Sequence, residues 1–342
     1  MLDWLKIVVP RPGFQISAGQ VVSYDADGVE EWHTEKRFMV DGSHDNRVSI
    51  RSVLDRDGMP AVEISGNPAK FFQGHNLFGS DDIVPLAQSF VVAVARAAGF
   101  VFSDEALSLI SQGLVYVQMV DLTFSWDFGN CNRALSAIQG INQQGHLAHR
   151  GRGSMLNEGT CYFGKNSRRW AVKFYAKGEE IKVKGHRLPD GIDRLADLKS
   201  YADGLVRSEV RVMALELKRM GLDLLRNWRT VEVATTHSAF LSKLNLSEAT
   251  MTDTKVLPTL SPKLQAIVAA WEAGSDIRVM FKSKETFYRH RRALLAHGID
   301  IAIRKPNPAS NVVPLRVVLT GLPVGVPTWA IGTSLYYEPV AA

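Results

Sequence analysis

The 342-residue sequence predicts an α+β fold with an antiparallel sheet, and three observations predict it. Short runs of period-two alternation, the signature of half-buried strands, dominate the first two hundred or so residues. Asp27-Gly28 and Asp57-Gly58 sit between adjacent runs, and Asp-Gly is hairpin chemistry. Amphipathic helices with recognisable start and stop signals fall between the runs and supply a layer to cover one face of the sheet.

The elements follow in order. "WLKIVVP", "VVSYDADGVEEW" and "RVSIRSVLDRDGMPAVEISG" read as strands and hairpins. "DDIVPLAQSFVVAVARAAG" reads as a helix with Ser80 or Asp81 as cap and Gly99 as stop, and "SDEALSLISQG" as a shorter one capped by Ser103. "LVYVQMVDLTFSW" is a strand and "NRALSAIQGINQQG" a helix. "GTCYFGKNSRRWAVKFYAKGEEIKVKG" reads as a hairpin turning over Gly164 to Ser167. "DRLADLKSYADG" is a helix stopped by Gly204, and "LVRSEVRVMALELKRMG" alternates first and then turns helical. Near residue 220 the character changes to a smaller C-terminal α/β portion. It holds two helices, "SPKLQAIVAAWEAG" and "SKETFYRHRRALLAHG", and a strand, "VVPLRVVLTGLP". The expected domains are therefore residues 1–220 and 221–342.

Hydrophobic residues make up 46% and charged residues 22% of the chain, the balance of a globular protein with a sizeable core. The net charge of +5 is unevenly spread. Arg150 to Arg187 carries ten Lys/Arg against three Asp/Glu, and Asp276 to Lys305 eight against three, which suits a polyanionic partner. Cys131 and Cys161 have no paired spacing, which argues against a disulfide scaffold or a cysteine zinc site and fits a reducing interior. No signal peptide is expected, because the apolar start "MLDWLKIVVPRPG" is broken by charge and proline. "VVAVARAAGFVF" is interrupted by Arg96 and too short to span a bilayer, so no membrane partner is expected.

Four strands share one property: an apolar side and an opposite side bearing chemistry. Val62 and Ile64 oppose Glu63; Val120, Leu122 and Phe124 oppose Asp121; Phe174 opposes Lys173 and Tyr175; Val206, Val210 and Val212 oppose Arg207, Glu209 and Arg211. Each acid alone is ordinary on a solvent-facing sheet. As a set on one face they repel, and a hard oxygen-seeking cation such as Mg²⁺ is one way to hold them. Tyrosine is a weak nucleophile at its reference pKa of about 10. Lys173 and Lys177 on its side of the strand are expected to favour the phenolate. A tyrosine, acids, a metal and a basic surround fit attack on a phosphodiester and its later resealing.

Other motifs carry less. "GTCYFGKN" falls short of a P-loop, because Asn166 stands where a Ser or Thr is needed and a strand follows instead of a helix. "HLAH", His146 to His149, lacks the spacing of a helical zinc pair. His75, in "FQGHN", is expected to precede a helix and could ligate metal, touch phosphate or hold a turn. The basic helix capped by Ser283, with Arg289, Arg291 and Arg292, suits contacts to duplex DNA.

"GNPAKFFQGHNLFG" (66–79) resembles the signature of the filamentous-phage replication initiators, the gene II/X family. "VDLTFSW" (120–126), "AVKFYAKGEE" (171–180), "GLVRSEVRVMALELKRMGL" (204–222), "NVVPL" (311–315) and the terminal "YYEPV" fit the same family in the same order. The resemblance implies a rolling-circle initiator that nicks one strand of the phage origin, stays on the 5′ phosphate through tyrosine, and later closes the displaced strand into a circle. Tyr175 takes the nucleophile's place, with Lys173 and Lys177 beside it, and Asp121 and Glu209 take the acidic positions. Glu63 and His75 complete the expected ligand set for Mg²⁺ or Mn²⁺. Arg168, Arg169, Arg207 and Arg211 are expected to guide DNA, together with Arg289, Arg291 and Arg292. The resemblance further implies origin DNA, double- and single-stranded, host helicase and polymerase as partners, and the host bacterial cytoplasm as setting. A non-catalytic DNA-binding regulator and a conjugative relaxase are the rival readings; the relaxase usually carries a His cluster that this sequence lacks.

Overall fold

A computed structural model describes residues 1–147, 151–246, 260–272, 275–281, 283–297, 299–302, 319 and 322–339. The body of the strand expected in "VVPLRVVLTGLP" (312–318), the "NVVPL" block and His149 lie outside the described residues.

The α+β architecture is the one expected. β1 (Leu2–Pro10) is followed by a hairpin of β2 (Gln20–Tyr24) and β3 (Glu30–Glu35). Next come β4 (Phe38–Asp41), β5 (Arg47–Leu54) and β6 (Pro60–Gly66). After helices α1 (Pro68–Gln73), α2 (Ile83–Ala97) and α3 (Asp104–Gln112) the long strand β7 (Tyr116–Asp127) enters. Helix α4 (Cys131–Gln144) leads through the short strands β8 (Gly145–Leu147), β9 (Gly151–Arg152) and β10 (Ser154–Asn157). β11 (Thr160–Phe163) and β12 (Trp170–Ala176) form the next hairpin, and the helical turn α5 (Lys177–Glu180) follows at once. Helix α6 (Leu195–Asp203), strand β13 (Leu205–Met213) and helix α7 (Ala214–Met220) complete this part.

Among the described residues nine strands make one antiparallel sheet in the order β10-β11-β12-β13-β7-β1-β6-β5-β4. The alternation explains its layering. Leu5, Ile7 and Val9 of β1, Val62 and Ile64 of β6, Val120 and Leu122 of β7, Val172 and Phe174 of β12, and Val206, Val210 and Val212 of β13 all enter one core. Phe90, Val91 and Val94 of α2, Ile110 of α3, Ile138 and Ile141 of α4 and Leu217 of α7 meet them there. Each such side chain contributes about 1.5–3 kcal/mol by leaving water. The opposite face of the sheet is polar.

Beyond residue 220 the chain keeps feeding the same core through Leu222, Leu225, Trp228 and Val233, and through Phe240 of α8 (Val233–Leu241). A second, smaller core joins Val268 and Trp271 of α9 (Pro262–Glu272) to Phe287 and Leu294 of α10 (Lys284–Leu295). A third cluster brings Ala330 and Leu335 against Leu77, Phe78, Leu198 and Ala202.

Three local expectations change. The tyrosine strand ends at Ala176 instead of running on through "GEEIKVKG". Helix α1 was not anticipated: Asn67 caps it by accepting from Lys70 N at 2.8 Å, Pro68 opens it, and Gly74 closes it in the left-handed region at φ 82°. His75 therefore lies between α1 and α2, following one helix as well as preceding the next. Helix α2 starts after Asp82, whose side chain makes no capping bond; Ser80 Oγ instead accepts from Asp82 N at 3.1 Å.

Candidate active site on the polar face of the sheet

Antiparallel register places residues opposite one another on the same face, and three rows result. Thr160, Tyr175, Arg207 and Ser125 form the first; Tyr162, Lys173, Glu209 and Thr123 the second; Ala171, Arg211, Asp121 and Trp4 the third. Tyr175, Lys173, Glu209, Arg211 and Asp121, all expected to be functional, are thus direct or diagonal neighbours.

The acids are compensated by cations. Arg211 grips Asp121 bidentately, Nε to Oδ1 at 2.8 Å and Nη2 to Oδ2 at 2.6 Å, and also lies 3.7 Å from Glu209. Lys173 lies 3.6 Å from Glu209 on the other side. Burial, and then the charge of Asp121, push the Glu209 carboxyl up to about 7. Burial pushes Asp121 up as well, although Arg211 pulls it back. For Lys173, burial opposes the charge, but Glu209, Tyr162, Glu180 and Asp3 together outweigh it and hold the ammonium above its ordinary range.

Tyr175 is only 1% exposed. Its phenol is pushed up, first by burial and then by Glu180, with Arg207 acting the other way. The lysines do not lower it as expected, because desolvation of the phenolate is the larger effect. Lys173 stands 4.1 Å from the ring centroid and Lys177 5.6 Å from it, so both meet the π face.

Lys177 is buried as well. Its ammonium pairs with Glu180 and donates to Asn76 Oδ1 at 3.0 Å. Burial brings this amine down to about 8, with Glu180 acting to raise it. The same burial opposes ionisation of Glu180, but Lys177, Lys173 and Arg207 hold its carboxyl at about 2. The pair is therefore ionised at neutral pH, and the place of Glu180 in the sequence is explained: it is the counter-charge of Lys177.

The block at 66–79 supplies the scaffold. Asn76 Nδ2 and Asn67 Nδ2 both donate to Asp3 Oδ1 at 2.8 Å. Arg207 donates through Nε to Ser125 Oγ at 3.0 Å and through its terminal nitrogens to the carbonyls of Asn76 and Leu77. The sequence reading missed Asp3, Asn67 and Asn76. An Asp inside the apolar run "MLDWLKIVVP" was the signal available.

Other expected residues are placed elsewhere. Glu63 belongs to β6, which is separated from β7 by β1. Its carboxylate is bound by Lys6 at 2.8 Å and by Arg51 at 2.9 and 3.1 Å, and these partners hold its pKa below the ordinary value against burial. It is a satisfied ion cluster apart from Asp121 and Glu209. His75 uses both ring nitrogens: Nε2–H donates to Leu335 O at 2.9 Å, and Nδ1 accepts from Leu77 N at 3.2 Å. Burial lowers it to about 4, so it is neutral, and with both nitrogens engaged within the protein neither is turned to a metal. Arg207 is 1% exposed and bonded to Ser125 and to the Asn76 and Leu77 carbonyls, so in this structure it is not offered to DNA as expected. Arg168 and Arg169 are exposed, Arg169 at 3.4 Å from Glu216. On α10, Arg289 and Arg292 are exposed, whereas Arg291 is held by Asp300 at 2.6 and 2.7 Å.

Among the described residues no three or more His, Cys, Asp or Glu side chains converge as a metal cage. Asp121 and Glu209 fit a hard cation in ligand type and adjacency, and the charge of Asp121 adds to burial in raising Glu209, a repulsion that a cation relieves. Glu63 and His75 do not fit. None of the helices of the described residues is long and apolar enough to cross a membrane.

Comparison with known proteins assigns the chain to a class, the phage replication-associated proteins. Residues 1–231 match the N-terminal model of the phage replication-associated protein family, and residues 251–341 match the C-terminal model of the same family. The chain belongs to this family. It is 32% identical to the replication-associated protein of Enterobacteria phage I2-2 over 336 residues, 96% of each chain. To the replication-associated proteins of Enterobacteria phages M13 and fd it is 27% identical over 179 residues, which is 48% of this chain and 42% of theirs.

Proposed function

We propose that this chain initiates rolling-circle replication by nicking and rejoining origin DNA through Tyr175. The single observation that carries this reading is the register that puts Tyr175, Lys173, Glu209, Arg211 and Asp121 on one polar face. In the proposed reaction the phenol oxygen attacks a scissile phosphorus, a 5′-phosphotyrosyl bond forms, and the bond to the 3′ oxygen breaks. The released 3′ hydroxyl serves as primer, and the reverse attack closes the displaced strand. Lys177 titrates at about 8, so the fraction that is neutral can take the phenol proton and return it to the leaving oxygen. Lys173 and Arg211 supply positive charge for the phosphate. A divalent Mg²⁺ or Mn²⁺, held by Asp121 and Glu209, would add Lewis-acid polarisation of the phosphate.

Tyr175 is buried, so attack requires a local opening coupled to DNA binding. Exposed Arg168 and Arg169 lie on the hairpin beside β12, and exposed Arg289 and Arg292 on α10 suit the origin duplex. Residues 221–342 would then recognise the duplex or support the sheet. Origin DNA in both forms, host helicase and polymerase, and a site of action in the host bacterial cytoplasm complete this reading.

The burial of Tyr175 favours one rival, a DNA-binding regulator in which this tyrosine is structural. Tyr175→Phe separates the two on supercoiled origin DNA with Mg²⁺. Loss of nicking with retained binding supports the enzyme; a wild type that binds without ever nicking supports the regulator.

A further inference from the structure

The second row of the face continues outward past Lys173. Tyr162 lies opposite Lys173 on β11, and Ser154 lies opposite Tyr162 on β10. At this end the sheet opens into a groove of about 390 Å³ lined by Arg152, Ser154, Tyr162, Lys165, Asn166 and Ser167, with Gly164 beside them. No carboxylate is among the lining residues. Lys165 stands 5.7 Å and Lys173 5.8 Å from the centroid of the half-exposed Tyr162 ring. The turn that carries Lys165 is fixed by Ser167 N donating to Gly164 O at 2.9 Å. An aromatic face, two cations and small hydroxyl and amide groups thus stand at the rim, and Lys173 links them to Tyr175.

We propose that this groove holds single-stranded DNA beside the phosphate presented to Tyr175, with one base stacked on Tyr162 and the backbone between Lys165 and Arg152. A flat ring takes any base, and cations along a groove take the phosphates, so the site is tolerant of sequence. A duplex would keep its bases stacked inside and leave Tyr162 without a partner. The direction of the strand toward Tyr175 rests on the nicking reading; the groove as a binding site does not.

The test uses the full chain and two oligonucleotide probes of about 20 nucleotides, oligothymidylate and an abasic backbone of equal length. Tyr162→Ala is expected to weaken oligothymidylate binding about tenfold and to leave the abasic probe unchanged, while Tyr162→Phe binds both as the wild type does. Lys165→Ala is expected to weaken both probes and to reduce the salt slope by about 0.7. Thermal melting of each variant checks the fold, and Tyr162→Phe keeps the packing of the ring. Wild-type binding of oligothymidylate by Tyr162→Ala, or equal loss on both probes, overturns the proposal. Adduct formation by wild-type protein is read separately. A Tyr162 effect without any adduct sinks the nicking reading and leaves the groove; an adduct without a Tyr162 effect does the reverse.

Discussion

Lys173 holds its ammonium 4.1 Å from the centre of the Tyr175 ring and 3.6 Å from the Glu209 carboxylate. One cation thus serves two neighbours, a buried aromatic face and a buried acid. Lys173→Met is therefore expected to leave Glu209 less compensated and to raise its pKa further. Stability should fall by about 2 kcal/mol, read as a lower denaturant midpoint at unchanged slope. Adding Glu209→Gln should recover part of that loss, because the two effects are coupled.

The acids of the face give stability two opposite pH dependences. Glu209 titrates at about 7 in the folded protein against an ordinary 4.5, so the folded state holds its proton more tightly. Its contribution is full below pH 4.5 and is lost as pH rises through 7. Glu209→Gln should flatten that decline, by about 3 kcal/mol at most. Glu180 titrates at about 2, so its contribution is present above pH 4.5 and is lost as pH falls toward 2. Glu180→Gln should weaken the protein at neutral pH and flatten the acid limb. Denaturation at a series of pH values checks both signs.

Asn76 connects Asp3 to Lys177, donating to one and accepting from the other. Asn76→Ala leaves a buried carboxylate and a buried ammonium each short of a partner. The expected cost is about 1–3 kcal/mol, with a larger loss of nicking than of DNA binding. A nicking loss no larger than the binding loss would assign Asn76 a purely structural role.

Metal dependence divides the four expected ligands. Asp121→Asn and Glu209→Gln should abolish the response of nicking to Mg²⁺ or Mn²⁺ and the heat of metal binding in calorimetry. Glu63→Gln and His75→Gln should keep both, even where they lower stability. Lys177→Arg, which cannot titrate near 8, should remove the corresponding limb from the pH–rate profile.

The faces of the strands were legible in the sequence because side chains alternate with a period of two. That pattern alone put Tyr175, Lys173, Glu209, Arg211 and Asp121 on one side. What it could not give is which strands are neighbours. Glu63 has the right parity but sits on β6, beyond β1, where Lys6 and Arg51 bind it. Arg207 has the right parity too, yet "GNPAKFFQGHNLFG" folds back and takes its donors through the Asn76 and Leu77 carbonyls. The same block hides His75. Burial of Tyr175 was equally out of reach, since the covering of a polar face is a tertiary fact. Asp3 and Asn76 gain their importance only from each other, across a separation of 73 residues in the chain.

The nucleophile is the central claim, and covalent capture tests it most directly. The full chain is incubated with a labelled origin oligonucleotide and Mg²⁺, quenched in denaturant, digested and sequenced by mass spectrometry. The predicted result is a 5′-phosphotyrosyl adduct on Tyr175, absent from Tyr175→Phe. An adduct on any other residue, or nicking that persists in Tyr175→Phe, would contradict it.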